Sequence, residues 1–131
     1  EYRKQWMAEH PLGWVEHRFA FEGNGRYASW IRTHNAVLKI NDWLFMHGGI
    51  SPRYAGMPLG AMNDAVRKVL EPSAAPAHGN IAEDPEGPLW YRGLASGDEL
   101  LLADHVDTVL KRFAVKHIAI GHTVTPGTVW P

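Results

Sequence analysis

Two histidines of this sequence stand in the same local setting, and that setting suits ligand chemistry. His47 directly follows the apolar run 44–46 and precedes two glycines, whereas His122 follows the apolar run 118–120 and Gly121. In open α/β sheets, ligands bind outside the carboxyl ends of strands. Neutral imidazole is a common ligand for divalent transition metals. The repeated pattern therefore indicates a metal or ligand site shared by the ends of two strands.

The residues alone leave a structural interpretation open. A single histidine after a strand is more often a hydrogen-bonded structural residue than a ligand, and glycine beside it is an ordinary turn residue. Two histidines are also too few to hold a catalytic pair of metal ions. Any further ligands, for which carboxylates are suited, must come from elsewhere.

Strand-like and helix-like segments alternate along the chain and must position the two histidines. The run 36–40, the turn Asn41-Asp42 and the run 43–46 predict a β-hairpin. Apolar periodicity and capping residues predict helices over 27–32, 61–70 and 98–113 and a buried strand over 117–120. Residues 1–24 are prone to form helix, but Pro11 and Gly13 interrupt this segment. Residues 19–25 are predicted to form a turn, and residues 72–88 are predicted to form a mobile loop. Continuously apolar strands favour an α/β layered fold with a sheet covered on both faces.

Composition narrows the function classes. The 131 residues suffice for one domain, and 13 Lys plus Arg against 14 Asp plus Glu leave a net charge of −1, which gives no electrostatic case for nucleic acid. The absence of cysteine excludes disulfides, thiolate zinc sites, iron–sulfur clusters and a cysteine nucleophile. The sequence contains no membrane span and no recognisable signal peptide, and its compartment stays open. Both ends look cut, so we expect a piece of a longer protein.

The remaining histidines and tryptophans favour structural interpretations. The tryptophans are most simply core residues, because aromatic side chains bury large areas. His105 lies within a predicted helix and is expected to be structural, and the three histidines in polar or loop segments are expected to be solvated: His10, His17 and His78.

Three motifs in order carry a resemblance to a known family. Residues 44–52 are LFMHGGISP, residues 88–92 are PLWYR and residues 118–123 are IAIGHT. Together with the segment 24–52, they resemble the later motifs of the calcineurin-like metallophosphoesterases, in particular the bacterial Shewanella-like protein phosphatases. The resemblance implies that residues 1–131 are part of a catalytic domain and form the C-terminal half of a four-layer α/β/β/α sandwich.

The resemblance also implies roles for individual residues. His47 and His122 match metal ligands of the family, and Arg92 resembles an arginine that clamps the substrate phosphate and serves catalysis. Trp90 is then expected beside the substrate, and four residues are expected to support the ligands: Gly48, Gly49, Gly121 and Thr123. The implied cofactors are two divalent metal ions, Mn, Fe or Zn, which activate water to hydrolyse a phosphomonoester.

The sequence departs from the family pattern in one large respect. Its first three motifs, D-x-H, GD-x-x-D-R-G and GNHE, are absent, and they carry most of the metal ligands. We therefore expect partial or no metal occupancy and no phosphatase activity in this chain alone. Two alternatives stay open: a pyrophosphohydrolase of the diadenosine-tetraphosphate type, and a non-catalytic fragment or interaction module. The expected partners are a phosphorylated protein or small phosphoester, with self-association through an exposed sheet edge.

Overall fold

The computed structural model describes residues 1–72, 79–125 and 127 of the chain. The described part contains six helices and three strands in a mixed α/β arrangement. In chain order these are α1 Tyr2–Glu9, α2 Trp14–Phe21, α3 Arg26–Arg32, β1 Val37–Ile40, β2 Trp43–Met46, α4 Leu59–Val69, α5 Gly93–Ser96, α6 Glu99–Phe113 and β3 His117–Ile120. Residues 73–78, with His78, fall outside the described residues, as does Trp130.

The three strands form one sheet in the order β1-β2-β3. β1 and β2 pair antiparallel as the predicted hairpin, and Asn41 in its turn adopts a left-handed conformation that asparagine tolerates better than most residues. β2 and β3 pair parallel, with Met46 opposite Ile120. Because these two strands run in the same direction, their carboxyl ends lie side by side.

One face of the sheet packs against α4 and α6. Its core includes Leu44 from β2, Met62 and Val66 from α4, and Val109 and Phe113 from α6. The apolar stripe of α4 and the extent of α6 confirm the helix predictions, and the Asp98 side chain caps α6 by accepting from the Leu100 N–H. Burying each such large side chain contributes roughly 1.5–3 kcal/mol. These two helices therefore fix the position of the sheet and its strand ends.

The opposite face of the sheet is exposed, which corrects the prediction of a sheet covered on both faces. Leu38, Ile40, Trp43 and Phe45 project from this outer face with 37–54% of their surfaces accessible. Residues alternate between faces along a strand, and β2 shows the alternation directly in its burial. β3 is likewise less buried than predicted, since its three apolar residues are half-buried and His117 is exposed.

Three other predictions need correction. None of the tryptophans among the described residues is buried, so they do not form the core. Helix α2 continues to Phe21, so the predicted turn at 19–25 begins only at Glu22. Residues 72–88 are predicted as a mobile loop, and the described part of this segment indeed contains no helix or strand. However, Ile81, Asp84 and Pro88 are buried, so this part packs against the rest of the protein.

No helix among the described residues is long and apolar enough to cross a bilayer.

Candidate functional site

The two candidate ligands, His47 and His122, come together at the carboxyl ends of β2 and β3. The His47 carbonyl oxygen accepts hydrogen bonds from the backbone N–H groups of Gly121, at 3.0 Å, and His122, at 2.7 Å. Nδ1 of His122 lies 2.8 Å from Nε2 of His47, and the ring centroids are 4.6 Å apart. The parallel pairing of the strands thus brings the two imidazoles together at one point.

The surroundings of His122 favour its neutral form. Burial lowers the pKa of His122, and the positive charge of Arg92 and the neighbouring His47 lower it further. Its other ring nitrogen, Nε2, is buried and has no hydrogen-bond partner among the described residues. Neutral imidazole is the form that ligates metal ions.

The two imidazoles lie slightly closer together than two ligands of one ion. Two imidazole nitrogens that each bind an ion at about 2.1 Å stand about 3.0–3.4 Å apart. Nε2 of His47 and Nδ1 of His122 are hydrogen-bonded at 2.8 Å, so a small separation of the rings would be needed to place one ion between them. No group of three or more histidine or carboxylate side chains suited to a metal occurs within the described ranges. The pair therefore fits part of a metal site and does not complete one.

The glycines after His47 hold a second segment against the site. The N–H groups of Gly48 and Gly49 both donate to the Pro88 carbonyl oxygen, at 2.8 and 3.3 Å. A Cβ atom on Gly48 would lie 2.8 Å from the Trp90 backbone nitrogen, so this crossing leaves no room for a side chain. Glycine at position 48 thus allows the segment 88–92 to approach the strand end.

That segment places Trp90 beside His122, with Arg92 two residues further along the chain. The Trp90 indole meets the His122 ring edge-on at a centroid distance of 5.4 Å, and its Nε1–H donates to the Ala82 carbonyl oxygen at 2.7 Å. Arg92 is exposed and forms no ion pair within the described part of the chain. Its guanidinium is therefore available to an anionic ligand.

The predicted supporting residues have different surroundings. Gly48, Gly49 and Gly121 form the backbone contacts described above, which join the two strand ends to each other and to Pro88. Thr123 is half-buried, and no hydrogen bond of its hydroxyl to a described residue is found, so its orienting role stays a prediction.

A surface pocket of about 560 Å³ lies beside Trp90, whose ring contacts His122. Its walls include Arg92 and Trp90, together with Glu83 and Pro85 from the preceding loop. The last two were not predicted as site residues. The only sequence signal for them is the Asp-Pro and Gly-Pro turn chemistry around them, which indicates a turn and not a site.

Sequence reasoning also missed the anchor of this loop, the buried carboxylate of Asp84. Asp84 accepts hydrogen bonds from the Tyr54 hydroxyl, at 2.8 Å, and the Glu86 N–H, at 2.9 Å, and Arg53 approaches it to 2.8 Å. These contacts lower the pKa of Asp84 below its usual range. The hydrogen bond from the Glu86 N–H has the largest effect, followed by that from Tyr54, and the charge of Arg53 adds to them.

His105, which is expected to be structural, holds the loop that follows β2. Its Nε2 lies 2.7 Å from the Ile50 carbonyl oxygen.

Three solved structures that resemble this chain are named as protein tyrosine phosphatases. A cold-active protein tyrosine phosphatase solved at 1.1 Å is 34% identical over 73% of this chain, with a TM-score of 0.60. The cold-active protein tyrosine phosphatase of a psychrophilic Shewanella species is 33% identical over 72%, with a TM-score of 0.56, and a single-substitution variant of a cold-active protein tyrosine phosphatase is 35% identical, with a TM-score of 0.62. The chain spans about 30% of the length of each. No family model matches the chain.

Proposed function

We propose that this chain forms part of the active site of a metal-dependent phosphatase that hydrolyses phosphomonoesters of proteins. The observation that carries the proposal is the convergence of His47 Nε2 and His122 Nδ1 at the ends of two parallel strands. Similarity to structures named as protein tyrosine phosphatases supports it at the level of phosphatase function. In this proposal residues 1–131 are the C-terminal half of a four-layer α/β/β/α metallophosphoesterase sandwich.

His47 and His122 would hold one ion of a pair of Mn, Fe or Zn ions. Such a pair supplies Lewis-acid activation of water and of the phosphoryl oxygens. The lowered pKa of His122 favours its neutral form, which carries a ligating lone pair. The remaining ligands belong to motifs that the 131 residues lack, so we propose that the chain alone is inactive.

Arg92 would bind the phosphoryl group. Its guanidinium is exposed, and its positive charge contributes to the lowered pKa of His122. A guanidinium can donate two parallel hydrogen bonds to phosphate oxygens, and it keeps its charge at every physiological pH. Trp90, beside His122, would line the path of the leaving group and exclude water from one side.

The test is an activity assay of the full gene product. The open reading frame that encodes Glu1 to Pro131 is expressed with its natural flanking codons, stripped of metal with a chelator and assayed on a phosphotyrosine peptide. We expect turnover to return on addition of Mn²⁺, Fe²⁺ or Zn²⁺, and to be lost in His47→Ala. Metal-independent turnover, or turnover unaffected by His47→Ala, contradicts the proposal.

The coding sequence upstream of Glu1 gives an independent check. We expect D-x-H, GD-x-x-D-R-G and GNHE in that order within roughly 100–150 residues, the length of one domain. An unrelated upstream sequence would instead favour a non-catalytic role for the two histidines.

A further inference from the structure

The pocket beside Trp90 is lined by residues of opposite charge. Arg92 lines it after Trp90 in the chain, and Glu83 lines it from the preceding loop. Trp90 and Pro85 add an apolar surface to the same pocket. A phosphate held by Arg92 would therefore have an aromatic wall and a negative charge within the same pocket.

Two anchors determine the position of the loop that presents Glu83. The Asn80 side-chain oxygen accepts from the N–H groups of Ala82 and Glu83, at 2.9 and 3.1 Å, in an Asx turn. On the other side of Glu83, the carboxylate of Asp84 is buried and hydrogen-bonded to the Tyr54 hydroxyl. Glu83 thus extends from a backbone that is held on both sides.

The Trp90 indole ties this loop to the site. Its Nε1–H donates to the Ala82 carbonyl oxygen, one residue before Glu83, while its ring contacts His122. A Cβ atom on Gly87 would lie 2.2 Å from the Ile81 carbonyl oxygen, so the two ends of the loop pack closely. The position of the Glu83 backbone relative to Trp90 is therefore set by packed groups and not by a free loop.

Glu83 differs from the other acidic residues of the loop in having no cation beside it. Arg53 contacts both Asp84 and Glu86, at 2.8 and 3.8 Å. No ion pair of Glu83 occurs within residues 1–72, 79–125 and 127, and the residue is exposed. Its charge is therefore available to a ligand in the pocket.

We propose that Glu83 is a specificity residue that selects phosphopeptides with an arginine or lysine close to the phosphorylated residue. The basic side chain would pair with the Glu83 carboxylate while its aliphatic stem, or the phosphorylated aromatic ring, packs on Trp90 and Pro85. The phosphate end of this assignment rests on the proposed function of Arg92. The charge preference rests on Glu83 alone and can be measured without turnover.

The experiment measures binding of phosphotyrosine-mimic peptides to the full gene product. The peptides carry a non-hydrolysable difluoromethylphosphonate and differ only in the residues flanking it, which are arginine, alanine or glutamate. Dissociation constants are compared for the wild type, Glu83→Gln and Glu83→Arg. Glu16→Gln removes the same charge from α2, outside the pocket, and is the matched control.

We expect the wild type to bind the arginine peptide about threefold to fivefold more tightly than the alanine peptide, as for an exposed ion pair. Glu83→Gln should abolish this preference, Glu83→Arg should reverse it toward the glutamate peptide, and Glu16→Gln should retain it. Added salt should weaken the preference, because exposed charges are screened.

Equal binding of the three peptides by the wild type, no measurable binding, or a preference that survives Glu83→Gln would overturn the assignment. A hydrolysis assay of the same protein separates the two proposals. Binding with the expected preference but no hydrolysis would overturn the phosphatase function alone, whereas hydrolysis without the preference would overturn the role of Glu83 alone.

Discussion

The imidazoles of His47 and His122 are set apart from the other histidines by their mutual contact. Their ring nitrogens meet at 2.8 Å, whereas the ring of His117 stacks on Trp43 on the outer face of the sheet. This difference follows from chain direction, since only residues just past the carboxyl ends of β2 and β3 reach the shared edge. The same substitution, histidine to alanine, should therefore affect metal binding at position 122 but not at position 117.

We predict that His122→Ala lowers the metal affinity of the full gene product on the order of 100-fold or more. The reason is that losing a residue that only hydrogen-bonds to a metal ligand already lowers metal affinity about 10–100-fold. His117→Ala removes the same group from β3 and should leave the affinity unchanged. Titration calorimetry with Mn²⁺ or Zn²⁺ measures both variants. Equal affinities for wild type and His122→Ala would argue for a structural histidine.

The buried carboxylate of Asp84 predicts an acid-sensitive loop. Its pKa is lowered in the folded protein, so its stabilising effect is fully present above the unfolded value of about 3.9. That stabilisation is lost as the pH falls from there through the lower folded pKa, because the unfolded chain then binds the proton more readily. We therefore expect Asp84→Asn to be less stable than wild type at pH 7 and the difference to narrow at pH 3.

Urea unfolding at the two pH values checks this expectation for Asp84. Asp107→Asn is the control, because that carboxylate is exposed and pairs only with Lys111 within α6 in the described structure. A gap between wild type and Asp84→Asn that does not change with pH would show that the carboxylate contributes through its shape and not its charge.

At the scale of elements, the end of β2 depends on its crossing with the segment 88–92. A Cβ atom on Gly48 would approach backbone atoms of Leu89 and Trp90 at 2.9 and 2.8 Å, and backbone cannot move aside as a flexible side chain can. We predict that Gly48→Ala displaces this segment, destabilises the protein by about 1–3 kcal/mol and lowers phosphatase activity of the full gene product.

Gly60→Ala is the matched control for that substitution. Gly60 lies in α4, and nothing stands within 4 Å of its Cβ position. Alanine there should stabilise the helix by up to about 1 kcal/mol. Thermal unfolding of the two variants should therefore shift in opposite directions, and a shared direction would contradict the predicted crossing.

A side chain from α4 pairs with backbone hydrogen-bonding groups on the edge of β1. Asn63 accepts from the Val37 N–H and donates to the Val37 carbonyl oxygen, both at 2.9 Å and both buried. Asn63→Ala leaves two buried backbone groups unpaired, so we expect a loss of about 2–4 kcal/mol in unfolding free energy. Asp64→Ala on the exposed side of the same helix should cost less than about 1 kcal/mol, and equal losses in urea titrations would contradict this role.

The sequence predicts these elements well where local patterns determine the structure, and poorly where contacts between residues far apart in the chain determine it. Apolar periodicity located α4 and α6, and paired apolar runs located the β-hairpin. The contact of Asn63 with Val37 spans 26 residues and leaves no periodic signal in the sequence. The same holds for the loop around Asp84, where Pro and Gly correctly predicted turns but could not show burial. The histidine pair was predictable because its strand–glycine pattern is local and occurs twice.

At the scale of the whole molecule, the described residues cover only one face of a sheet that the sequence predicts to be covered on both. A continuously apolar strand indicates that both of its faces are suited to burial, and it does not say which part of the protein covers each face. α4 and α6 cover the inner face of this sheet, and the described residues leave Trp43 and Phe45 exposed on the outer one. In the proposed four-layer sandwich, a second sheet would pack on this face at a spacing of about 10 Å.

The outer face therefore predicts how residues 1–131 behave when expressed alone. Leu38, Ile40, Trp43 and Phe45 form a contiguous apolar surface, with Ile40 opposite Trp43 and Leu38 opposite Phe45 in the hairpin register. Such surfaces drive association in water. We expect the chain to self-associate through this face, and not through the sheet edge alone, because Asn63 already satisfies part of the β1 edge.

Sedimentation velocity over a range of concentrations measures that association. The double variant Ile40→Thr/Phe45→Thr keeps residues that favour strands but removes apolar area. We expect its self-association to weaken at least about tenfold, because each large apolar side chain contributes roughly 1.5–3 kcal/mol when it is fully buried. Leu101→Thr changes an apolar residue on α6 that is more exposed than either Ile40 or Phe45 and should leave association unchanged. A monomeric wild type, or an equal effect of the control, would show that the outer face is not an interface in the isolated chain. If the full gene product has the proposed second sheet, the same double variant should destabilise its fold, because the two threonines would then lie between the sheets.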